Sequence, residues 1–272
     1  MTAPPISELI RSARVVDLSL TLSEDLPCWW PTASPFRHTT DHWFTNVDRG
    51  GSSPLRSRSG APFHSCVLSM DEHTGTHFDA PSHFIPPPGS ELPDAGPTGS
   101  ITADRVGLEQ LMGPALVVDV RTLTGSVPNG TSPRIEPSFL GSWEQEHGVI
   151  GPDDVVLFRS DWDEHYVSGP RGQQYVQRPL VFGDAPAWPA PSAEAIEFLS
   201  ARGVRCVGTD AASMGPAEAP RDTHVAGLSA GMVFIECLCG LRQLPWRGAT
   251  FVFLPLKLAG GSGGPGRALA LI

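Results

Sequence analysis

Apolar residues in this chain come in short runs with strand character, separated by long stretches rich in Gly, Pro and Ser. Residues 14–20, 63–70, 114–120, 154–160, 204–209, 232–238 and 250–256 are enriched in β-branched and aromatic residues and read as strands. Helical spacing predicts helices over 103–112, 136–147 and 193–202. The last is the clearest. Ser192 caps its start, Glu194 sits in its first turn, Ile196, Leu199 and Ser200 keep the spacing, and Gly203 ends it. Residues 21–60, 86–99 and 163–190 read as irregular chain. The alternation of helix-like and strand-like runs predicts an α/β fold, and no repeat or linker divides it, so residues 1–272 are expected to form one domain.

Composition narrows the class. Hydrophobic residues make up 40 % of the chain, enough for a substantial core. Gly (29) and Pro (28) stay below the level of low-complexity sequence and point to a loop-rich globular protein, with function on the loops. The net charge of −10 repels nucleic-acid phosphates and anionic lipid, and no Lys/Arg run offsets it. No apolar run is long enough to cross a bilayer, and the N-terminus lacks the charged start and apolar core of a secretion signal, so a cytoplasmic protein is expected. Cys28, Cys66, Cys206, Cys237 and Cys239 show no repeated pair spacing and are expected to be reduced; strand periodicity would put Cys237 and Cys239 on one face.

The chemistry concentrates in His73-Thr-Gly-Thr-His77-Phe-Asp79-Ala-Pro-Ser-His83. Neutral imidazole nitrogen and carboxylate oxygen are the common ligands of Zn²⁺, Mn²⁺ and Fe²⁺. A lone histidine is usually a partly buried polar residue, but packing does not explain three imidazoles around an aspartate in so short a run. Gly75 and Pro81 argue against a regular helix here. A tight turn at Gly75 feeding an extended piece would bring His73 round to His77 and Asp79. Thr74 stands where the zincin motif H-E-x-x-H needs its glutamate, so a general base must come from elsewhere, and His83 is the local candidate.

The run resembles the H-x-G-T-H-x-D-x-P-x-H signature of the metal-dependent cyclase superfamily, which includes bacterial kynurenine formamidases and isatin hydrolases. Val16-Asp17-Leu18-Ser19-Leu20-Thr21-Leu22, Leu157-Phe158-Arg159-Ser160-Asp161-Trp162, Gly208-Thr209-Asp210 with Ser213, and Phe253-Leu254-Pro255-Leu256-Lys257 extend the resemblance over most of the chain. It implies a swivelling β/β/α fold and a homodimer or larger homo-oligomer. It implies that His73, His77 and Asp79 bind a first metal and that His83 is the catalytic acid/base. It further implies a second metal on His224 and Glu236, bridged by Asp79. Without the resemblance, His224 would pass for a loop histidine and Glu236 for a strand-edge carboxylate. The run Met232-Val-Phe-Ile-Glu236-Cys-Leu-Cys-Gly is otherwise apolar, and a carboxylate buried there needs a cation or an arginine partner. Cys237 departs from the Glu-Asn-Leu that many members carry.

The resemblance implies an amidohydrolase in which Zn²⁺ or Mn²⁺, one or two per chain, activates water to open a cyclic or aryl amide such as isatin or N-formylkynurenine. Trp30, Phe63 and Phe78 are candidate contacts for an aromatic substrate, and each is equally a candidate core residue. The aromatic segment 28–44 is a candidate for completing a pocket, its own or a neighbouring subunit's. Other readings are a lactone hydrolase, a metal-dependent cyclase or dehydratase, and a non-catalytic metal-binding protein. No serine-hydrolase G-x-S-x-G elbow is present.

Overall fold

The computed structural model describes residues 5–44, 63–125 and 127–272. Its strands are β1 (Val15–Asp17), β2 (Arg37–His42), β3 (Ser65–Ser69), β4 (His77–Asp79), β5 (Met112–Asp119), β6 (Arg134–Ile135), β7 (Val155–Arg159), β8 (Ala190–Pro191), β9 (Cys206–Thr209), β10 (Val233–Glu236), β11 (Ala249–Pro255) and β12 (Gly263–Leu271). The helices are α1 (Ile6–Ser12), α2 (Pro137–His147), α3 (Ala193–Ala201) and α4 (Pro220–Ser229). The 8-stranded sheet runs β1-β12-β11-β5-β7-β9-β10-β4, and a further pairing of β12 with β4 closes it into a barrel-like ring. β12 achieves this by its length. Its first residues pair with β4 (Gly263 opposite Asp79), and its last pair with β1 (Leu271 opposite Val15).

Strand alternation sorts the core into two layers. Val155 and Leu157 of β7, Ala115 and Val117 of β5, Val233 and Ile235 of β10, and Phe251 and Phe253 of β11 form the inner-face cluster. Their neighbours Val156, Phe158, Leu116, Val118 and Phe234 face the other way and pack against Leu140 and Trp143 of α2, Ile196 and Leu199 of α3, and Leu228 of α4. α2, α3 and α4 cover the outer face of the parallel run β5-β7-β9-β10. That explains why these strands are apolar on both faces. The Ser192 side chain accepts from the Ala195 N–H, the cap read from the sequence, a contact of about 1 kcal/mol.

Several expectations are corrected. Residues 103–112 form two 3-10 turns, Ala103–Arg105 and Leu108–Leu111, and then enter β5. Val106 and Gly107 between them are extended (ψ 129° and 138°), which breaks the helical ladder. The stretch 21–60 is not irregular throughout: β2 forms within it by pairing with β3 as a separate hairpin, while residues 45–60 lie outside the described residues. β10 ends at Glu236, because Cys237 turns into the left-handed region (φ 58°). Cys237 and Cys239 therefore do not share a strand face. All five cysteines are free. No helix among the described residues is long and apolar enough to cross a membrane.

Candidate metal centre

β4 lies between β10 and β12, and its three residues divide between two faces. Phe78 is fully buried in the inner-face cluster against Phe253, with ring centroids 6.2 Å apart. His77 and Asp79 therefore face outward. β10 runs antiparallel beside them with Glu236 opposite His77. α4 lies across the same face. Its Gly227 packs onto Phe234 so closely that a Cβ would come 2.3 Å from the ring. One turn earlier, this approach sets His224 over Asp79 and Glu236. The turn before β4 passes through Gly75 (φ 62°), whose N–H donates to the Cys28 carbonyl, and brings His73 back to the strand.

The donor atoms converge on Asp79. Its Oδ1 is 2.9 Å from His73 Nδ1 and 3.5 Å from His77 Nε2, and its Oδ2 is 3.6 Å from His224 Nε2. Glu236 Oε2 is 3.5 Å from His77 Nε2, and Glu236 Oε1 is 3.2 Å from His224 Nε2. Among the described residues no arginine pairs with Glu236; the Ser213 hydroxyl and the Met214 N–H donate to its Oε1. The far side of each ring fixes its tautomer. His77 Nδ1–H donates to the Gly75 carbonyl and His224 Nδ1–H to the Pro220 carbonyl, each at 2.7 Å. Because a carbonyl only accepts, Nε2 is the atom each ring turns to the carboxylates: it donates to them while the ring is protonated and offers its lone pair to a cation once the ring is neutral.

Burial pushes the Asp79 carboxyl up, but the surrounding imidazoles, His83 and His224 foremost, outweigh it and hold it well below the usual carboxylate range. Glu236 is likewise lowered, since hydrogen bonds from His224 and His77 overcome burial and the nearby Asp79 charge. Burial opposes protonation of His77 and His224, yet their carboxylate partners raise both. The cluster therefore holds two buried anions that protonated His77 and His224 neutralise here, and that a divalent cation could neutralise in place of those protons. Asp79 Oδ2 is a buried oxygen without a hydrogen-bond partner, an expensive state that a cation would relieve. Three imidazoles and two carboxylates are the donor set of a borderline divalent ion. The residues present fit such an ion.

His83 follows in the 3-10 turn Pro81–His83. Its ring stacks on His73 at 3.9 Å, and it is more accessible than the buried members of the cluster. Burial within the cleft, opposed by Asp79, brings its pKa to about 4, so the ring is neutral at pH 7. Phe84 stacks on His224 at 4.2 Å. The cluster forms one wall of a cavity of about 330 Å³. Leu20, Trp29, Trp30, Phe84, Tyr166 and Val176 contribute an apolar and aromatic lining.

Trp30 therefore faces the cavity of its own chain. Phe78 does not line it, because alternation sends Phe78 into the core. Phe63 does not line it either: it is 51 % exposed and packs edge-on against His42. Trp29 had the same sequence signal as Trp30. Glu72 and Ser262, which back His73, were missed. Glu72 adjoins the motif, whereas Ser262 sits in a glycine-rich stretch with no signal of its own.

A ring-shaped α/β sheet carrying a His/Asp/Glu cluster on its outer face defines a class of candidate metalloprotein. Residues 16–216 match the Cyclase family, described as "Putative cyclase", and the chain belongs to that family. It is 32 % identical over 210 residues to the isatin hydrolase of Roseibium aggregatum, covering 75 % of this chain and 73 % of that one. It is 29 % identical over 257 residues to the kynurenine formamidase of Erythrobacter litoralis, covering 94 % and 93 %. The solved structure of isatin hydrolase A from Labrenzia aggregata bound to benzyl benzoate superposes with a TM-score of 0.76 at 30 % identity, covering 98 % of each chain.

Proposed function

We propose that this protein is a metal-dependent amidohydrolase that opens a cyclic or aryl amide, isatin- or N-formylkynurenine-like. The observation that carries the reading is the meeting of the His/Asp/Glu cluster and an aromatic wall in one cavity. The names of the relatives, isatin hydrolase and kynurenine formamidase, support the bond type. His73, His77 and Asp79 would hold a first Zn²⁺ or Mn²⁺. His224 and Glu236 would hold a second, and Asp79 turns Oδ1 to the first set and Oδ2 towards His224, as a bridging carboxylate would. When bound, the ion supplies Lewis acidity and an activated water.

The chain's own groups do the rest. Trp30, Trp29 and Leu20 seat an aromatic ring and exclude solvent from it. Neutral His83 takes a proton at a ring nitrogen and returns it to the departing amide nitrogen. Ser213 and the Met214 N–H keep Glu236 from swinging into the space the substrate needs.

The test is turnover of isatin, N-formylkynurenine and aryl lactones by the metal-loaded protein in oxygen-18 water. Label in the opened product marks hydrolysis. His83→Ala should lower turnover by roughly 10²–10⁴-fold with metal content unchanged. Full turnover in that variant removes the acid/base role, and failure on every amide removes the proposed reaction.

A further inference from the structure

Three candidate ligand histidines surround Asp79, but their far sides differ. His77 and His224 are each anchored to a main-chain carbonyl, a partner that side-chain substitution cannot remove. His73 alone among them faces side chains. Its Nε2 lies 3.0 Å from the Ser262 hydroxyl oxygen. That hydroxyl donates to Glu72 Oε1 at 2.5 Å, and the Ser262 N–H donates to the same oxygen at 2.9 Å.

Proton counting then fixes the ring. Glu72 is acceptor-only when ionised, so the hydroxyl proton of Ser262 is committed to it. The Ser262 oxygen is left as an acceptor towards His73, and His73 Nε2 must carry the ring proton. Nδ1 is left facing Asp79 Oδ1 at 2.9 Å, and in the neutral ring it is the nitrogen that holds the lone pair. We propose that Glu72 and Ser262 are positioning residues of the metal centre: the Glu72–Ser262–His73 chain selects the His73 tautomer that ligates through Nδ1 and strengthens it as a donor. A carboxylate acting through a hydroxyl feeds electron density to the imidazole as a direct carboxylate–histidine pair does. The inference rests on the cation reading of the cluster, not on the identity of the amide.

Removing Glu72 frees the Ser262 proton to point at His73 Nε2. That favours the other tautomer, which puts a proton on the nitrogen a cation needs. Removing Ser262 leaves Nε2–H without its acceptor. Both substitutions lie outside the buried core: Glu72 is 30 % exposed along its side chain, and Ser262 is half-buried.

The experiment is Zn²⁺ titration of the full chain against a competing chelator. Glu72→Ala and Ser262→Ala should each weaken binding about ten- to a hundredfold, and Glu72→Gln, which keeps an acceptor but loses the charge, should fall between them and the wild type. Nitrogen-15 correlation spectra of the zinc-loaded wild type should place the His73 ring proton on Nε2. Affinities within about twofold of wild type in both alanine variants, or a ring proton on Nδ1, overturn the proposal. If an alanine variant does not fold, Glu72→Gln and the wild-type spectrum carry the test. A wild type that binds no Zn²⁺ overturns this proposal together with the cation reading. Zinc binding that depends on Glu72, in a protein that opens no amide, overturns only the proposed reaction.

Discussion

Residues 73–83 and residues 220–237 meet at Asp79 but bring their chemistry by different routes. In the first stretch, one turn at Gly75, one short strand and one 3-10 turn place His73, His77, Asp79 and His83 together. In the second, His224 and Glu236 stand on a helix and a strand, and they meet at 3.2 Å only because α4 lies flat on β10. The first group depends on local backbone conformation, the second on tertiary packing.

Asp79 belongs to both, so Asp79→Asn should have the largest effect. It removes the shared anion, and elemental analysis should find no bound metal, with turnover at background. Retained metal would mean that the two stretches do not share a centre. Glu236→Gln should act on one side only. A wild type with two equivalents should keep the one on residues 73–79 and lose the other; loss of both together would make the two stretches a single site. Gly75→Ala attacks the local route. An alanine at φ 62° carries about 1–2 kcal/mol of strain, and its Cβ would meet Leu22 at 2.3 Å, which the flexible leucine tip can relieve. Thermal unfolding should fall by about that strain, and the first metal should bind more weakly than the second.

The smallest effect lies outside both stretches and serves as their reference. Arg202 clamps Glu144, joining α3 to α2 at 2.7 Å, and holds its carboxyl below the ordinary value. A depressed folded pKa contributes stability above the unfolded value, and that contribution is lost as pH falls through the folded one. Glu144→Gln should therefore cost about 1 kcal/mol at pH 7 and nothing in strong acid, by denaturant unfolding, with metal content unchanged throughout.

What the sequence disclosed follows the same division. Residues 73–83 were legible because their spacing alone describes a turn and a strand. His224 was recognisable only by resemblance. Pro-Arg-Asp-Thr-His-Val-Ala-Gly-Leu-Ser has a weak apolar stripe, and it is helical because Pro220 opens it and Gly227 lets it lie on Phe234. β12 was missed because Gly, Pro, Ala and Leu lack the β-branched signature. Its small side chains suit the place it takes, with Ala268 and Ala270 beside Phe251 and Phe253 on the crowded inner face. The parallel strands β5, β7 and β9 were plain because apolar residues on both faces leave continuous runs. Phe78 shows the limit. An aromatic beside a ligand set reads as a substrate contact until strand alternation assigns its face.

The closing strand has a kinetic consequence. His73 and Ser262 are 189 residues apart in sequence, and the ring closes only when β12 arrives beside β4. Pairing over such distances must overcome loop-closure entropy first and is intrinsically slow. During synthesis the histidine-rich motif emerges long before α4, β10 and β12. The Ser262 contact to His73 therefore reports that the ring has closed, and a chain that has not yet brought α4 and β10 to β4 offers a cation only the scattered, weakly binding pieces of a site.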